Sequence, residues 1–374
     1  MRVMHVVDSL RVGGSESLAA TLADAFAGRG VGGVVCGIGE DGPLRVRLGA
    51  SGVESLHMGR SSGVRPDVMA HLGWLMLRKQ CDAVITHHFR QLVHAAPGTC
   101  LLRRKLVHVE HDHHSYESKP SVLAHLSRLS PLVHRFVFVS EQIRDWYVGR
   151  VASIEQKSVV IPNGVDTVRF SRVVEARERI RMQIGASEDD FVVGTCARLE
   201  AVKDLGLLIS GFAILAKADH LGRGKARLVL VGAGSLRPVL EEMVRQEGLA
   251  GQVHFAGVVD DVQDWLSGFD AYAITSLNEG LPLSVMEAMS CGLPVVATDV
   301  GSIRQVVDDE VGALMESRAP EELGARLGSL ADDRAACVSL GRAARARIVR
   351  GHSVESMVSA YVHALGGGHG GRVA

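Results

Sequence analysis

Aromatic residues make up only 4% of this 374-residue chain, and neither sign of charge dominates, since 41 Lys and Arg stand against 42 Asp and Glu. A net charge of −1 argues against a dedicated nucleic-acid binder, which is usually clearly basic. No apolar run approaches the ~20 residues that a membrane-spanning helix needs. The first residues already resemble a strand, "RVMHVVDS", so we expect no signal peptide and a cytoplasmic protein.

The chain also lacks paired cysteines. Its six cysteines show no CxxC spacing, so neither a zinc-binding pattern nor a disulfide framework is indicated. All of them stand in apolar contexts, which favours reduced thiols in the core of an intracellular protein. They are Cys36, Cys81, Cys100, Cys196, Cys291 and Cys337.

Charge is distributed unevenly along the chain. Residues 1–170 carry 20 Lys and Arg against 15 Asp and Glu, whereas the remaining residues carry 21 against 27. A mildly basic first half permits contact with an anionic substrate or with a membrane surface. An uneven solvated surface explains the same numbers.

Short apolar runs alternate with helix-like segments almost throughout. This rhythm is typical of a mostly parallel, doubly wound sheet, and it restarts after a charged connector that follows "IPNGVD". We therefore predict two Rossmann-like α/β domains, at 1–168 and 169–350. A C-terminal helix and tail follow at 351–374. The strand-like runs are "RVMHVVDS", "GGVVCGIG", "DAVITHH", "KLVHVEH", "RFVFVS" and "SVVIPNG", then "FVVGTCARL", "ARLVLVGAG", "VHFAG", "DAYAITS", "LPVVATD" and "GALM".

Two glutamates stand eight positions apart in the apolar stretch "SLNEGLPLSVMEAMSCG". Pro282 suits the first turn of a helix and Gly292 suits its end, which places Glu279 before the helix and Glu287 inside it. The free N–H groups of a helix N-terminus favour a phosphate, and carboxylates beside it are good acceptors for sugar hydroxyls. The pattern therefore favours a nucleotide sugar. The alternative is a Glu279 that caps the helix and a Glu287 that lies on its surface; the flanking residues favour the sugar site.

Cationic residues follow another predicted strand in "GTCARLEAVKD". Arg198 and Lys203 stand at its carboxyl end, where open α/β sheets bind ligands, and together they could clamp a diphosphate. In "LVLVGAGS", Gly232 and Gly234 would let the backbone approach a ligand closely, although a lone GxG is weak support.

Glycines also follow the first strand, at Gly13 and Gly14. The third glycine of a dinucleotide fingerprint is missing, so a nicotinamide site is not supported. The turn still offers backbone N–H groups to an anion.

Four histidines crowd the stretch "VHVEHDHHSY". A strand directs alternate side chains to opposite faces, which separates His108 and Glu110 from His111. We therefore expect no metal site here, and a single histidine, His111, that lines a cleft.

Together these motifs resemble the retaining glycosyltransferases of family 4. The matching segments are "RVGGSE", "FVSEQIRDWY", "IPNGVDTVRF", "GTCARLEAVKD", "LVLVGAGSLRPVLEE" and "VHFAGVVDDVQDWLSGFDAYAITSLNEGLPLSVMEAMSCGLPVVATDVG". They cover nearly all of the second domain and, more loosely, the first. The resemblance implies the GT-B fold, in which two Rossmann-like domains face a cleft and the C-terminal helix returns to the first domain.

The resemblance also implies roles for individual residues. Arg198 and Lys203 would bind the diphosphate and stabilise it as it leaves, and Glu287 would bind the ribose. Glu279 would contact the transferred sugar, and His111 would line the sugar site. Further donor contacts would come from Gly13, Gly14, Gly232, Val258, Gly280, Leu281, Pro282 and Leu283.

The implied function is transfer of a sugar, with retained configuration, from a nucleotide diphosphate sugar to a hydroxyl of a glycan, a lipid-linked acceptor or a small molecule. UDP-sugars are the first expectation and GDP-sugars the second, with no metal or other cofactor. Such a reaction belongs to polysaccharide or glycoconjugate synthesis, in the cytoplasm or at the inner face of the membrane. Alternatives are another GT-B enzyme, such as a sugar-nucleotide epimerase or a phosphorylase, and a non-catalytic sugar-nucleotide-binding protein. The presence of Glu279 and Arg198 favours the transferase.

Overall fold

The computed structural model describes residues 1–60, 63–218 and 224–366, and the chain divides into two compact units. The first unit comprises Met1–Gly164 and takes up the chain again from Val354. The second unit comprises Val165–Ser353.

The first unit is built on a parallel sheet of seven strands within its described residues. The strands are β1 (Arg2–Val7), β2 (Gly32–Gly37), β3 (Glu54–His57), β4 (Ala83–His87), β5 (Lys105–Glu110), β6 (Arg135–Phe138) and β7 (Ser158–Val160). The helices between them are α1 (Gly14–Ala27), α2 (Leu44–Ala50), α3 (Pro66–Arg78), α4 (Phe89–Leu101), α5 (Pro120–Leu129) and α6 (Glu141–Val148).

The strand order in this sheet is β3-β2-β1-β4-β5-β6-β7. Because the order reverses between β1 and β4, the loops that follow these strands diverge and open a crevice at the carboxyl edge, the usual ligand position in such sheets. Most residues of β1, β4 and β5 are fully buried, as expected for parallel strands covered on both faces.

The second unit contains six parallel strands in its described part. They are β8 (Phe191–Cys196), β9 (Ala226–Val231), β10 (Val253–Gly257), β11 (Ala271–Ile274), β12 (Val295–Thr298) and β13 (Gly312–Met315). The helices are α7 (Val174–Gln183), α8 (Leu205–Lys217), α9 (Arg237–Gln246), α10 (Val262–Gly268), α11 (Leu283–Ser290), α12 (Pro320–Asp332) and α13 (Arg334–Gly351). The order β10-β9-β8-β11-β12-β13 reverses between β8 and β11.

A buried carboxylate aligns the two strands at this reversal. Asp270, just before β11, accepts the backbone N–H of Val192 in β8 at 2.8 Å. It also accepts hydrogen bonds from Arg177 at 2.8 Å and from Arg181 at 3.1 Å. The Arg181 side chain is only 2% exposed, so Asp270 balances a cation in the core and sets the register of β8 against β11.

The last helix, α14 (Val354–Gly366), belongs to the first unit, as predicted. Arg29 donates to Ser359 Oγ at 3.0 Å and to the carbonyl of Glu355 at 3.1 Å. At the other end of α14, Lys105 Nζ donates to the carbonyl of Leu365 at 2.6 Å. Hydrogen bonds at both ends therefore hold the returning helix against this unit. The predicted tail beyond Gly366 lies outside the described residues.

Two details differ from the sequence-based expectations. Strand β3 was not predicted, because "ESLH" is too polar to look like a buried strand. The expected core position is wrong for Cys100, which is exposed on α4, whereas the other five free cysteines are at least partly buried. Across the described ranges, no helix combines the length and hydrophobicity needed to cross a bilayer.

Candidate functional site

Helix α11 starts at the reversal point of the second sheet, as the sequence predicts. Pro282 is its N-cap residue, with φ −73° and ψ 120°, and no side chain of the described residues caps the helix. Gly292, with φ +78°, follows its last turn. The first-turn N–H groups therefore lack a side-chain acceptor, which suits them to bind an anion.

Glu279 lies in the loop between β11 and α11. Its Oε1 atom accepts hydrogen bonds from Lys203 Nζ at 2.6 Å and from Ser276 Oγ at 2.5 Å. The side chains of the ion pair are only 18% and 10% exposed, for Lys203 and Glu279 respectively. Glu279 thus does not cap α11, and two of the residues singled out in the sequence contact each other directly.

Arg318, which was not predicted, joins the loops that carry this pair. Its guanidinium forms an ion pair with Asp204 at 2.5 Å and donates to the carbonyls of Ser276 at 2.9 Å and Thr275 at 2.8 Å. The hydroxyl of Thr275 in turn donates to the carbonyl of Asp204 at 2.9 Å. In the sequence Arg318 stands in the polar turn "ESRAPEE", where it resembles an ordinary surface charge.

Arg198 lies in the loop after β8 and is exposed. Its guanidinium forms no ion pair with any carboxylate in the part of the chain that the structure describes. A solvent-facing cation without an internal partner is available to bind an anionic ligand.

Gly232 and Gly234 allow a close approach between two segments of the chain's own backbone, whereas the sequence predicted an approach to a ligand. A Cβ atom on Gly232, where φ is +132°, would lie 2.0 Å from the carbonyl oxygen of Ala197. One on Gly234 would lie 2.4 Å from the carbonyl oxygen of Leu199. These glycines therefore let the loop after β9 pack against the loop that carries Arg198.

Two further donor residues of the sequence prediction lie at this edge. Val258 is 73% exposed in the loop after β10. Glu287 is the fifth residue of α11 and is half-buried. Burial raises the pKa of the Cys291 thiol to about 12, and the Glu287 carboxylate acts in the same direction. Burial also raises the pKa of Cys196, the last residue of β8, and the Glu287 carboxylate raises it further. Glu287 therefore lies close to the end of that strand.

In the first unit, Gly13 is the N-cap residue of α1, which begins at Gly14. In the described part of the chain, no side chain caps this helix either. A Cβ atom on Gly13 would lie 2.4 Å from Glu16 Oε2, which also accepts a hydrogen bond from Ser15 Oγ at 2.9 Å. The Glu16 carboxylate therefore lies against the start of the helix.

His111 directly follows β5, at the carboxyl edge of the first sheet. Its Nε2 atom lies 3.0 Å from Nδ1 of His87. Burial lowers the pKa of both imidazoles well below the usual histidine value, and positive charge on His88 lowers it further. Both rings are therefore neutral near pH 7.

A second network surrounds Glu110, the last residue of β5. His108 Nε2 lies 2.9 Å from one carboxylate oxygen and His88 Nδ1 lies 3.6 Å from the other. Burial acts to raise the pKa of Glu110, but the hydrogen bonds from His108 and His88 outweigh it and lower the pKa to about 2. His108 and Glu110 thus contact each other, whereas His111 contacts His87.

His113, His114 and Glu117 bring three potential metal ligands within 4.8 Å in the described chain. The two imidazole nitrogens lie 3.4 and 3.0 Å from the same carboxylate oxygen. Two imidazole N–H donors on one carboxylate account for this geometry without a cation, because such an oxygen accepts more than one hydrogen bond.

Two family models match this chain. Glycosyl transferases group 1 matches residues 176–347, and Glycosyltransferase Family 4 matches residues 12–169. The chain belongs to the family 4 glycosyltransferases. The predicted family is thus confirmed.

Relatives of this family 4 chain include two D-inositol 3-phosphate glycosyltransferases. The protein from Xylanimonas cellulosilytica is 32% identical over 55% of this chain and 51% of its own. The protein from Kineococcus radiotolerans is 32% identical over 50% of this chain and 47% of its own. The chain spans about half the length of the curated relatives it matches.

The family 4 chain is also similar in structure to HepE from Anabaena, solved in complex with UDP. The TM-score is 0.84 at 21% identity, over 98% of this chain and all of HepE. At that identity the likeness shows the fold. The predicted GT-B class, with two doubly wound parallel sheets, is confirmed.

Proposed function

We propose that this protein is a retaining glycosyltransferase, which moves a sugar from a nucleotide diphosphate sugar to an acceptor hydroxyl. The observation that carries the proposal is the Lys203–Glu279 ion pair beside the uncapped start of α11. Cation, carboxylate and helix N-terminus meet at the reversal point of a doubly wound sheet, where such sheets bind ligands.

Lys203 and Glu279 both have hydrogen-bonding capacity left for the donor sugar nucleotide. Lys203 carries three N–H donors and uses one on Glu279, which leaves two for phosphate oxygens. The contacts of Glu279 use Oε1, so Oε2 can accept a sugar hydroxyl. Arg198 and the first-turn N–H groups of α11 add positive charge for the diphosphate, and Glu287 would bind the ribose.

Catalysis would rest on position and electrostatics. The acceptor hydroxyl attacks the anomeric carbon on the face from which the diphosphate leaves, so the configuration is retained. The leaving phosphate oxygen takes the hydroxyl proton, while Arg198 and Lys203 stabilise the charge that develops on it. Because these groups supply the positive charge, we expect turnover to survive EDTA.

UDP is the first expected nucleotide and GDP the second. The UDP bound in HepE supports this order. The acceptor class stays open among glycans, lipid-linked saccharides and small molecules.

Thermal shift and product analysis across UDP-, GDP-, ADP- and CMP-sugars test the proposal. We expect one nucleotide family to raise the melting temperature, and NMR of the product to show the anomeric configuration of the donor. Arg198→Ala should reduce the shift, whereas Arg342→Ala, a change of an exposed arginine on α13, should not. An epimerised free sugar would indicate an epimerase, and a shift without any turnover would indicate a binding protein.

A basic groove in the first unit gives a reason to propose contact with an anionic membrane. Among the described residues, those that line it include no carboxylate, and the groove lies before β5, β6 and β7, at the edge opposite His111. Burial lowers the pKa of His134 in the groove, and the surrounding cations lower it further, which shows the positive potential there. The cationic lining residues are Arg103, Arg104, Lys105, Arg135 and Lys157.

Vesicle sedimentation tests this contact. The protein should sediment with vesicles that contain phosphatidylglycerol and not with pure phosphatidylcholine, and 0.5 M NaCl, roughly three times physiological ionic strength, should release it. Charge reversal at Arg103 and Arg104 should abolish sedimentation without loss of turnover on a soluble acceptor. Equal sedimentation of wild type and variant would contradict the proposal.

A further inference from the structure

Three imidazoles form a line through the first sheet, from the middle of β1 to the residue after β5. Nδ1 of His5 lies 3.5 Å from Nε2 of His87, and Nδ1 of His87 lies 3.0 Å from Nε2 of His111. Successive rings are nearly parallel, with interplanar angles of 23° and 20°. His5 and His87 are completely buried, and His111 lies where the sheet meets its crevice.

The sheet order brings these residues together, because β4 lies between β1 and β5. His87 ends β4 and is paired in register with Val109 of β5, and its neighbour Thr86 is paired with Val6 of β1. Three histidines that are far apart in sequence therefore follow one another across three adjacent strands.

All three rings are neutral. Burial lowers the pKa of His5 to about 3 and that of His87 and His111 well below the usual value. The other titratable groups nearby include His88, His108 and Glu110, and both of these histidines lie against the Glu110 carboxylate. Burial acts to lower the pKa of His88, but the Glu110 carboxylate outweighs it and raises the pKa above its usual value.

A neutral imidazole has one N–H donor and one bare nitrogen acceptor, so the line has only two proton arrangements. In one of them every Nδ1 carries the proton, and each ring donates outward, toward His111. In the other every Nε2 carries it, and His5 Nε2 becomes a buried N–H. That atom has no hydrogen-bond partner in the described residues, and buried N–H groups without an acceptor are rare in proteins. The outward arrangement is therefore favoured.

We infer that His87 is a positioning residue that holds His111 with Nε2 as an acceptor and Nδ1–H as a fixed hydrogen-bond donor. Nδ1 of His111 forms no hydrogen bond within the described chain, so this donor is available to a substrate oxygen. The identity of that oxygen as part of the sugar rests on the proposed function; the arrangement of the imidazoles does not.

NMR on protein labelled with 15N-histidine tests the arrangement directly. The His111 signals are assigned by their loss in His111→Gln. Between pH 6 and 8 we expect a protonated Nδ1 and a bare Nε2 in His111, without titration. A protonated Nε2 on His111 would overturn the inference, whether or not the protein turns over any nucleotide sugar.

Two substitutions separate positioning from packing. His87→Leu removes the donor, and we expect a mixed tautomer of His111 and a loss of about tenfold in kcat/KM for the donor sugar. His87→Asn keeps an N–H near the position of Nδ1 and should restore the tautomer and most of the rate. The control His71→Leu, at an exposed position on α3, should change neither. Equal losses in His87→Leu and His87→Asn, with the wild-type tautomer in both, would refute the role.

Discussion

Replacing Lys203 by Met removes the ammonium that neutralises Glu279 and keeps a side chain of similar length. The carboxylate then stays in a site where its side chain is only 10% exposed, with Ser276 as its remaining hydrogen-bond donor. Glu279→Gln makes the reciprocal change, because it keeps the shape and removes the charge.

The exposure of the ion pair determines how much free energy of unfolding each variant should lose. Exposed ion pairs contribute about 0–1 kcal/mol, whereas breaking a fully buried pair costs about 3–5 kcal/mol. The Lys203–Glu279 pair lies between these limits, with 18% and 10% of its side chains exposed and a short N–O distance of 2.6 Å. We therefore expect each single variant to lose about 2 kcal/mol in free energy of unfolding. The double variant should lose less than the sum, because it leaves no unpaired charge.

A double-mutant cycle by urea unfolding measures this coupling, and donor titration by calorimetry on the same four proteins measures the role in binding. Lys203→Met should weaken donor binding by roughly 1.5–3 kcal/mol, the scale of a hydrogen bond to a charged group. The exposed Lys217→Met is a matched control, because Lys217 pairs with Glu247 at the protein surface. A coupling free energy near zero, or unchanged donor affinity in Lys203→Met, would refute the reasoning.

Three further outcomes follow from individual groups. Glu287→Ala should weaken nucleotide binding by roughly 1.5–3 kcal/mol, and unchanged affinity in calorimetry would exclude the ribose contact. Arg198→Ala should lower turnover by more than it lowers donor affinity, since it acts on the leaving diphosphate; equal turnover would remove Arg198 from the mechanism. Asp270→Ala should cost about 3–5 kcal/mol at pH 7, because it leaves the cation of Arg181 unpaired in the core. Burial acts to raise the pKa of Asp270, but Arg177 and Arg181 outweigh it and hold the pKa below its usual value. The stabilisation by the Asp270 carboxylate is therefore fully present above the ordinary aspartate pKa and is lost as the pH falls through the lowered pKa of the folded state. The loss of unfolding free energy in Asp270→Ala, measured by urea unfolding, should therefore become smaller in acid.

Strands were predictable wherever burial on both faces left a continuous apolar run. Strands β8, β9, β11 and β12 of the second sheet show such runs, as "ARLVLVGAG" does for β9. Strand β3 has no such run, because its Glu54 forms ion pairs with Arg2 and Lys79 and is only half-buried. A polar edge strand of four residues is specified by its neighbours and not by its own pattern.

Local patterns also predicted the start of α11, since Pro282 and Gly292 act within a few residues of themselves. The contact between Lys203 and Glu279 spans 76 positions and depends on β8 and β11 being neighbours. The spacing of residues within one motif does not predict a contact between two distant segments. The histidine line depends in the same way on β4 lying between β1 and β5, so only the stretch around His111 drew attention in the sequence.

The loop that carries Lys203 shows how the fold supports a charged group. Asp204 adopts a left-handed backbone, with φ 42° and ψ 52°, which a residue other than glycine adopts only at a cost. Arg318 and Thr275 both hold this turn, the first by an ion pair with the Asp204 carboxylate and the second by a hydrogen bond to its carbonyl. Donors held in place before the substrate arrives need no reorganisation when charge develops on a leaving group. The strained turn and its two partners therefore belong to the site as much as Lys203 does, although neither partner needs to touch a ligand.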